Sequence, residues 1–249
     1  MREKTTKDKK RKIWKRMCSL LMACALVVMS GPQQAVAAPA AGDTGGRPGA
    51  SVIRSDELRG VWISYLDWEQ LPSEWGSYQF AVDKMLDRCK ELKMNAVFLH
   101  VRPDADAMYP SQYFPWSRFL TGTQGQDPGY DPLAYFVRAA HERGLQFHAW
   151  INPFRVTGYH NTWDQVSENS PVKQWLSDGD PSNDRWVLKQ NGAYYLNPAV
   201  EEVRELIVNG VREIAQKYTV DGIHFDDYFY PDVDDEDPSR WFDKPEYEA

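Results

Sequence analysis

The sequence has 249 residues, with 29 Lys or Arg against 36 Asp or Glu, a formal net charge of −7. Positions 1–37 hold nine of the basic and two of the acidic residues; taking nine from 29 and two from 36 leaves 20 basic and 34 acidic side chains, a net charge of −14. A body this acidic repels phosphate backbones and anionic lipid, which excludes nucleic acid as a partner and limits membrane contact to the basic N-terminal segment.

That segment reads as a secretory signal peptide over residues 1–37. Lys9 to Lys12 with Lys15 and Arg16 form a basic start, Met17 to Met29 an apolar stretch, and Ala35-Val-Ala37 a small-residue cleavage signature. The apolar stretch is shorter than the roughly 20 residues of a membrane span. There is no Arg-Arg pair, which favours the general export route, and the expected location is extracellular or in the cell envelope. Leu21-Met-Ala-Cys24 faintly matches a lipoprotein box, but the apolar run continues past Cys24. Residues 38–56 are small, Gly/Pro-rich and aperiodic, as in a flexible linker. Cys18 and Cys24 lie in the signal peptide, which leaves Cys89 alone and an internal disulfide impossible. Its residue type and place predict a buried apolar position.

Four strand-then-helix units follow. The first strand is Leu58 to Tyr65, with a helix from about Gln79 to Leu92 carrying Phe80, Val82, Met85 and Leu86. The second is Ala96 to Pro103, followed by a long polar loop and a helix over Pro132 to Arg143. Asp131-Pro132 supplies an N-cap and N1 pair there, and Gly144 a stop. The third is Gln146 to Pro153, then another long loop and a helix from Pro198 to Tyr218 with apolar residues at helical spacing. The fourth is Gly222 to Phe225. Alternating strands and helices predict a parallel α/β sheet of the TIM-type β/α-barrel class. An eightfold barrel needs roughly 250 residues. Residues 57–249 therefore read as its N-terminal half, about four βα units of a truncated domain.

The chemistry gathers at strand C-termini, where such barrels place their sites. A strand repeats every two residues. On that count His100 and Arg102 share a face, as do His148, Trp150 and Asn152, and also His224, Asp226, Tyr228 and Tyr230. Arg155, Asp104 and Asp106 could reach in from loops. A carboxylate flanked by His and Tyr at a strand end points to glycosidic-bond chemistry. Asp226 and Asp227 are adjacent and should point apart, so they do not form one pair of carboxylates roughly 5–9.5 Å apart. The facing argument selects Asp226 as nucleophile or electrostatic stabiliser, with its partner acid elsewhere. Arg102, His148, Asn152, Arg155, His224 and Tyr228 are candidate sugar-positioning groups, and Trp150 and Tyr230 candidate stacking surfaces. No cofactor or metal is expected: His100, His148 and His224 lack HxH or HExxH spacing, and Asp232 to Asp237 lacks the Gly and Glu of an EF-hand. A non-catalytic glycan-binding module and a metal-dependent hydrolase or deacetylase are the alternatives.

Several segments carry a specific resemblance. They are Glu57-Leu-Arg-Gly-Val-Trp62, Val101-Arg-Pro103, Asp106-Ala-Met-Tyr-Pro-Ser111, Leu120-Thr-Gly-Thr-Gln-Gly125, Asp127-Pro-Gly-Tyr-Asp-Pro132, His148-Ala-Trp-Ile-Asn-Pro-Phe-Arg155, Tyr195-Leu-Asn-Pro198 and Gly222 to Pro231. In this order the chain resembles the glycosyl hydrolase-like family 10 of bacterial envelope proteins. The resemblance implies a TIM-type barrel, export, and hydrolysis of cell-wall glycan, with peptidoglycan strands stripped of their peptides as substrate. It places the Asp226/Asp227 pair where related barrels carry a catalytic carboxylate.

Overall fold

The computed structural model describes residues 57–158 and 161–226. The expected signal peptide and linker, Asp227, Tyr228, Tyr230 and the Asp232–Asp237 run lie outside the described residues. Strand β1 (Gly60–Ile63) leads into a short helix α1 (Tyr65–Trp68) and then α2 (Trp75–Glu91). Strand β2 (Ala96–Arg102) is followed by α3 (Arg118–Thr121) and α4 (Pro132–Glu142). Strand β3 (Gln146–Ile151) is followed by α5 (Pro171–Trp175) and a hairpin of β4 (Val187–Gln190) and β5 (Ala193–Leu196). Helix α6 (Glu201–Lys217) and strand β6 (Gly222–His224) complete the order.

The main sheet runs β1-β2-β3-β6, every pair parallel. A strictly sequential parallel order is the winding of a β/α barrel; a doubly wound sheet reverses at a switch point. Strand β3 shows the two faces, its residues alternating between solvent-accessible Gln146, His148 and Trp150 and buried Phe147, Ala149 and Ile151. The buried set joins Val97, Leu99 and Val101 of β2 against Tyr78, Val82 and Leu86 of α2 and Leu133 and Phe136 of α4. Each such aliphatic or Phe side chain contributes about 1.5–3 kcal/mol by leaving water. Cys89 closes the α2 stripe, buried as expected, while Phe80 turns outward with 72% of its surface exposed.

Local signals explain the helix starts. The Glu74 carboxylate accepts from the backbone N–H of Gly76 at 2.9 Å and Ser77 at 2.7 Å. That cap starts α2 a turn before the expected Gln79, because capping by the longer Glu side chain does not match the usual Ser/Thr/Asp/Asn pattern. Asp131 caps α4 through the Ala134 N–H at 2.9 Å, and Gly144 leaves it at φ +65°. The β4–β5 hairpin was not expected from the sequence. Its turn is Asn191-Gly192, both at positive φ (51° and 82°), the dipeptide that two-residue hairpin turns favour. The hairpin docks where Leu196 N–H donates to Phe154 O at 2.7 Å and Val156 N–H to Tyr194 O at 3.0 Å.

Two carboxylates tie loops to this frame. Asp221, just before β6, accepts from Phe147 N–H at 2.7 Å and meets His141 Nε2 at 2.8 Å. Glu213 of α6 accepts from Ser111 Oγ at 2.5 Å, Gln112 N–H at 2.8 Å and Lys217 Nζ at 3.0 Å, which holds the loop after β2 against the helix.

Candidate active site

The face of the sheet opposite the helices is built in cross-strand rows. Trp62, Phe98, His148 and Gly222 lie in register across the four strands, and above them His100, Trp150 and His224 across three. In the lower row the Trp62 and Phe98 rings stack at 4.6 Å, and Phe98 and His148 at 4.5 Å. Glycines permit this: a Cβ at Gly60 would lie 2.4 Å from the Phe98 ring, and one at Gly222 2.4 Å from His148 Nδ1. In the upper row His100 and Trp150 stack at 3.8 Å and 7°.

Polar groups cap the rows at the C-terminal end of β6. The Trp62 indole N–H donates to His224 Nε2 at 3.1 Å. An indole nitrogen only donates, so Nε2 of His224 is the acceptor of this bond. The Trp150 N–H donates to Asp226 Oδ1 at 2.6 Å. The carboxylate is solvent-exposed. His148 is held below the ordinary imidazole value, first by burial and also by the neighbouring His224, with Asp221 opposing. It therefore enters neutral pH uncharged. His148, Trp150, His224 and Asp226 thus meet on one face. Trp62 joins them although it was not singled out as a site residue; the period-two pattern of Gly60-Val-Trp-Ile63 puts it there.

Arg102 does not join them, and its expected facing is corrected. The β2–β3 register slips between His100, paired with Trp150, and Arg102, paired with Ile151. This bulge turns Arg102 to the helix side. Its guanidinium is fully buried over the Phe114 ring at 3.6 Å, and a Cβ on Gly210 of α6 would lie 2.5 Å from Nη1. Burial pulls it below the ordinary guanidinium value.

Asn152 and Arg155 are also buried rather than presented at the mouth, 2% and 3% exposed. Both donate to the Pro103 carbonyl, Asn152 Nδ2 at 3.2 Å and Arg155 Nε at 2.8 Å. Arg155 Nε also donates to Asp104 Oδ1 at 3.0 Å, and its guanidinium lies 5.2 Å from the Tyr65 ring centre. These side chains hold the loop after β2, whose backbone needs partners once covered. Asp104 and Asp106 are fully buried in the same loop. Asp106 accepts from Gln124 Nε2 at 3.1 Å, and its carboxyl is pushed up to about 7 by burial and then by the charge of Asp104. Neither carboxylate opens onto the face that holds Asp226.

A concavity of about 790 Å³ lies elsewhere, between the Pro110–Trp116 loop, Tyr130, α5 and Leu206. It contains none of the candidate site residues. We place the site on the sheet face instead, because there a carboxylate, imidazoles and indole donors converge at strand C-termini. Among the described residues no three His, Cys, Asp or Glu side chains are arranged to hold a metal ion.

The chain is 42% identical over 182 residues to glycosyl hydrolase YngK of Bacillus subtilis, covering 70% of this chain and 34% of that protein. It is 34% identical over 239 residues to glycosyl hydrolase DigH of Escherichia coli, covering 90% of this chain and 54% of that protein. The chain thus spans about a third to about half of the length of these relatives. Among solved structures, a maltogenic α-amylase from Thermotoga neapolitana matches 70% of this chain and 40% of its own, at 18% identity and a TM-score of 0.43. Residues 57–247 match the family described as glycosyl hydrolase-like 10, and the chain belongs to that family.

Proposed function

We propose that this chain is the N-terminal part of the barrel of an exported glycoside hydrolase that acts on bacterial cell-wall glycan, with peptide-free peptidoglycan strands as substrate. Family membership and two relatives named as glycosyl hydrolases support the reaction class. The observation that carries the site is Asp226, an exposed carboxylate just past the end of β6 with an indole N–H on one oxygen. In this reading Asp226 attacks or stabilises the anomeric carbon as the glycosidic C–O bond breaks. A second carboxylic acid gives its proton to the leaving oxygen, and water supplies the new hydroxyl. His148 and His224, both on the same face, orient sugar hydroxyls. Asp104 and Asp106, sealed within their loop, do not supply the acid.

The test is incubation of the full-length protein with purified peptide-free peptidoglycan strands and mass analysis of released saccharides. Discrete products are expected, undiminished by a chelator, and Asp226→Asn should lower their rate by about a thousandfold or more. Asp227→Asn should cost less. Binding without release would replace this reading with a glycan-binding module. Loss of release with chelator would replace it with a metal-dependent hydrolase.

A further inference from the structure

The geometry points to Trp150 as a positioning residue for Asp226, an assignment that rests on the role of Asp226 given above. Asp226 lies two residues beyond the last strand residue, His224, and its side chain is exposed. A carboxylate there is free to rotate about both side-chain torsions unless something holds it. The Trp150 N–H on Oδ1 at 2.6 Å is the one hydrogen bond to that carboxylate among the described residues. The donor itself is immobilised. Its ring lies flat on His100 at 3.8 Å and 7°, and His100 is 1% exposed. On another side the His224 ring approaches at 6.2 Å and 67°.

This arrangement favours positioning over the sugar-stacking role expected of Trp150. Stacking needs a free ring face, and His100 already covers one face of this indole. Its N–H is already committed to Asp226. Held on Oδ1, that donor fixes the carboxylate plane and leaves Oδ2 to address the substrate. The short β6 strand receives a second indole donor in the same way, from Trp62 to His224 at 3.1 Å. The three-residue strand carries the functional end, and two longer-range indoles orient it.

Two measurements test the assignment. In ¹H–¹⁵N spectra of the full-length protein, the Trp150 indole resonance, identified by its loss in Trp150→Phe, should lie downfield and move upfield in Asp226→Asn. In saccharide release, Trp150→Phe keeps a ring on His100 but removes the donor. It should lower kcat by about tenfold to a hundredfold with KM unchanged. An indole resonance indifferent to Asp226→Asn overturns the proposal, as does Trp150→Phe with wild-type kcat. A rise in KM alone also overturns it, in favour of sugar stacking. If Trp150→Phe does not fold, the wild-type indole resonance is assigned instead by its nuclear Overhauser contacts to the His100 ring, and its response to Asp226→Asn decides. A shifted resonance in an Asp226→Asn protein that still releases saccharide at the wild-type rate would show the bond to be real. It would overturn the catalytic reading of Asp226, and the positioning role with it.

Discussion

Asp106 shows how far a single residue can depart from its ordinary chemistry when a loop closes over it. It is fully buried beside Asp104, and its carboxyl is pushed up to about 7. In the unfolded chain the same group titrates near 4. Below about pH 4 both states are protonated and the site costs nothing. As pH rises from about 4 to 7, the unfolded chain releases a proton that the folded protein keeps, so stability falls. Above about 7 the whole penalty is present. Asp106→Asn removes the titration while keeping an acceptor for Gln124. In urea unfolding it should match the wild type near pH 4 and exceed it at pH 8 by on the order of 2–4 kcal/mol. No residue-level pattern announces this behaviour. Asp104-Ala-Asp106 reads as part of a long polar loop able to reach the site, and the cover supplied by Arg155, Gln124 and neighbouring segments buries it instead.

At the scale of elements, α6 packs closely on β2 because Gly210 lacks a side chain. In an isolated helix Gly210→Ala would gain about 1 kcal/mol of helix propensity. Here the new Cβ would lie 2.5 Å from Arg102 Nη1 and 2.7 Å from the Phe114 ring. Both neighbours are buried and stacked on each other, so neither can withdraw to water. Overpacking of about 1–3 kcal/mol offsets or exceeds the propensity gain, and thermal unfolding should show Gly210→Ala less stable by up to about 2 kcal/mol. The elements themselves were largely legible. Asp131-Pro132 and Gly144 bound α4 as their types require, and the alternation in Gln146 to Ile151 marked β3. The Asn191-Gly192 pair, flanked by Val187-Leu188 and Tyr194-Tyr195, is the signal that could have found the hairpin, but it sits within a segment that otherwise reads as loop. Arg102 was placed on the wrong face because a period-two count assumes unbroken pairing, and a bulge breaks it.

For the whole molecule, the parallel sheet separates two environments. One face is closed by helices and dominated by aliphatic and Phe side chains; the other carries indoles, imidazoles and Asp226. Phe147 sits at the centre of the closed side, fully buried against Phe136 at 6.1 Å between rings. Phe147→Ala should cost about 3–5 kcal/mol in urea unfolding. A hydrogen bond at Phe147 links the two faces. The Phe147 N–H binds Asp221, which precedes the strand that presents His224 and leads to Asp226.

What the sequence by itself determined was local: the strand and helix periods, the caps, and the acidic, aromatic-rich body. Its motif segments also carried the family resemblance that the comparisons bear out. These depend on dihedral preferences and hydrogen bonds that span a few residues. Only the tertiary structure decided which side chains meet. Trp150 and Asp226 are 76 residues apart, and Trp62 and His224 are 162 apart. Their contact depends on inter-strand register, and the burial of Arg102, Asp104 and Asp106 depends on which segments fold over them. Register and desolvation are properties of paired and covered chains, so neither exists until the strands have assembled.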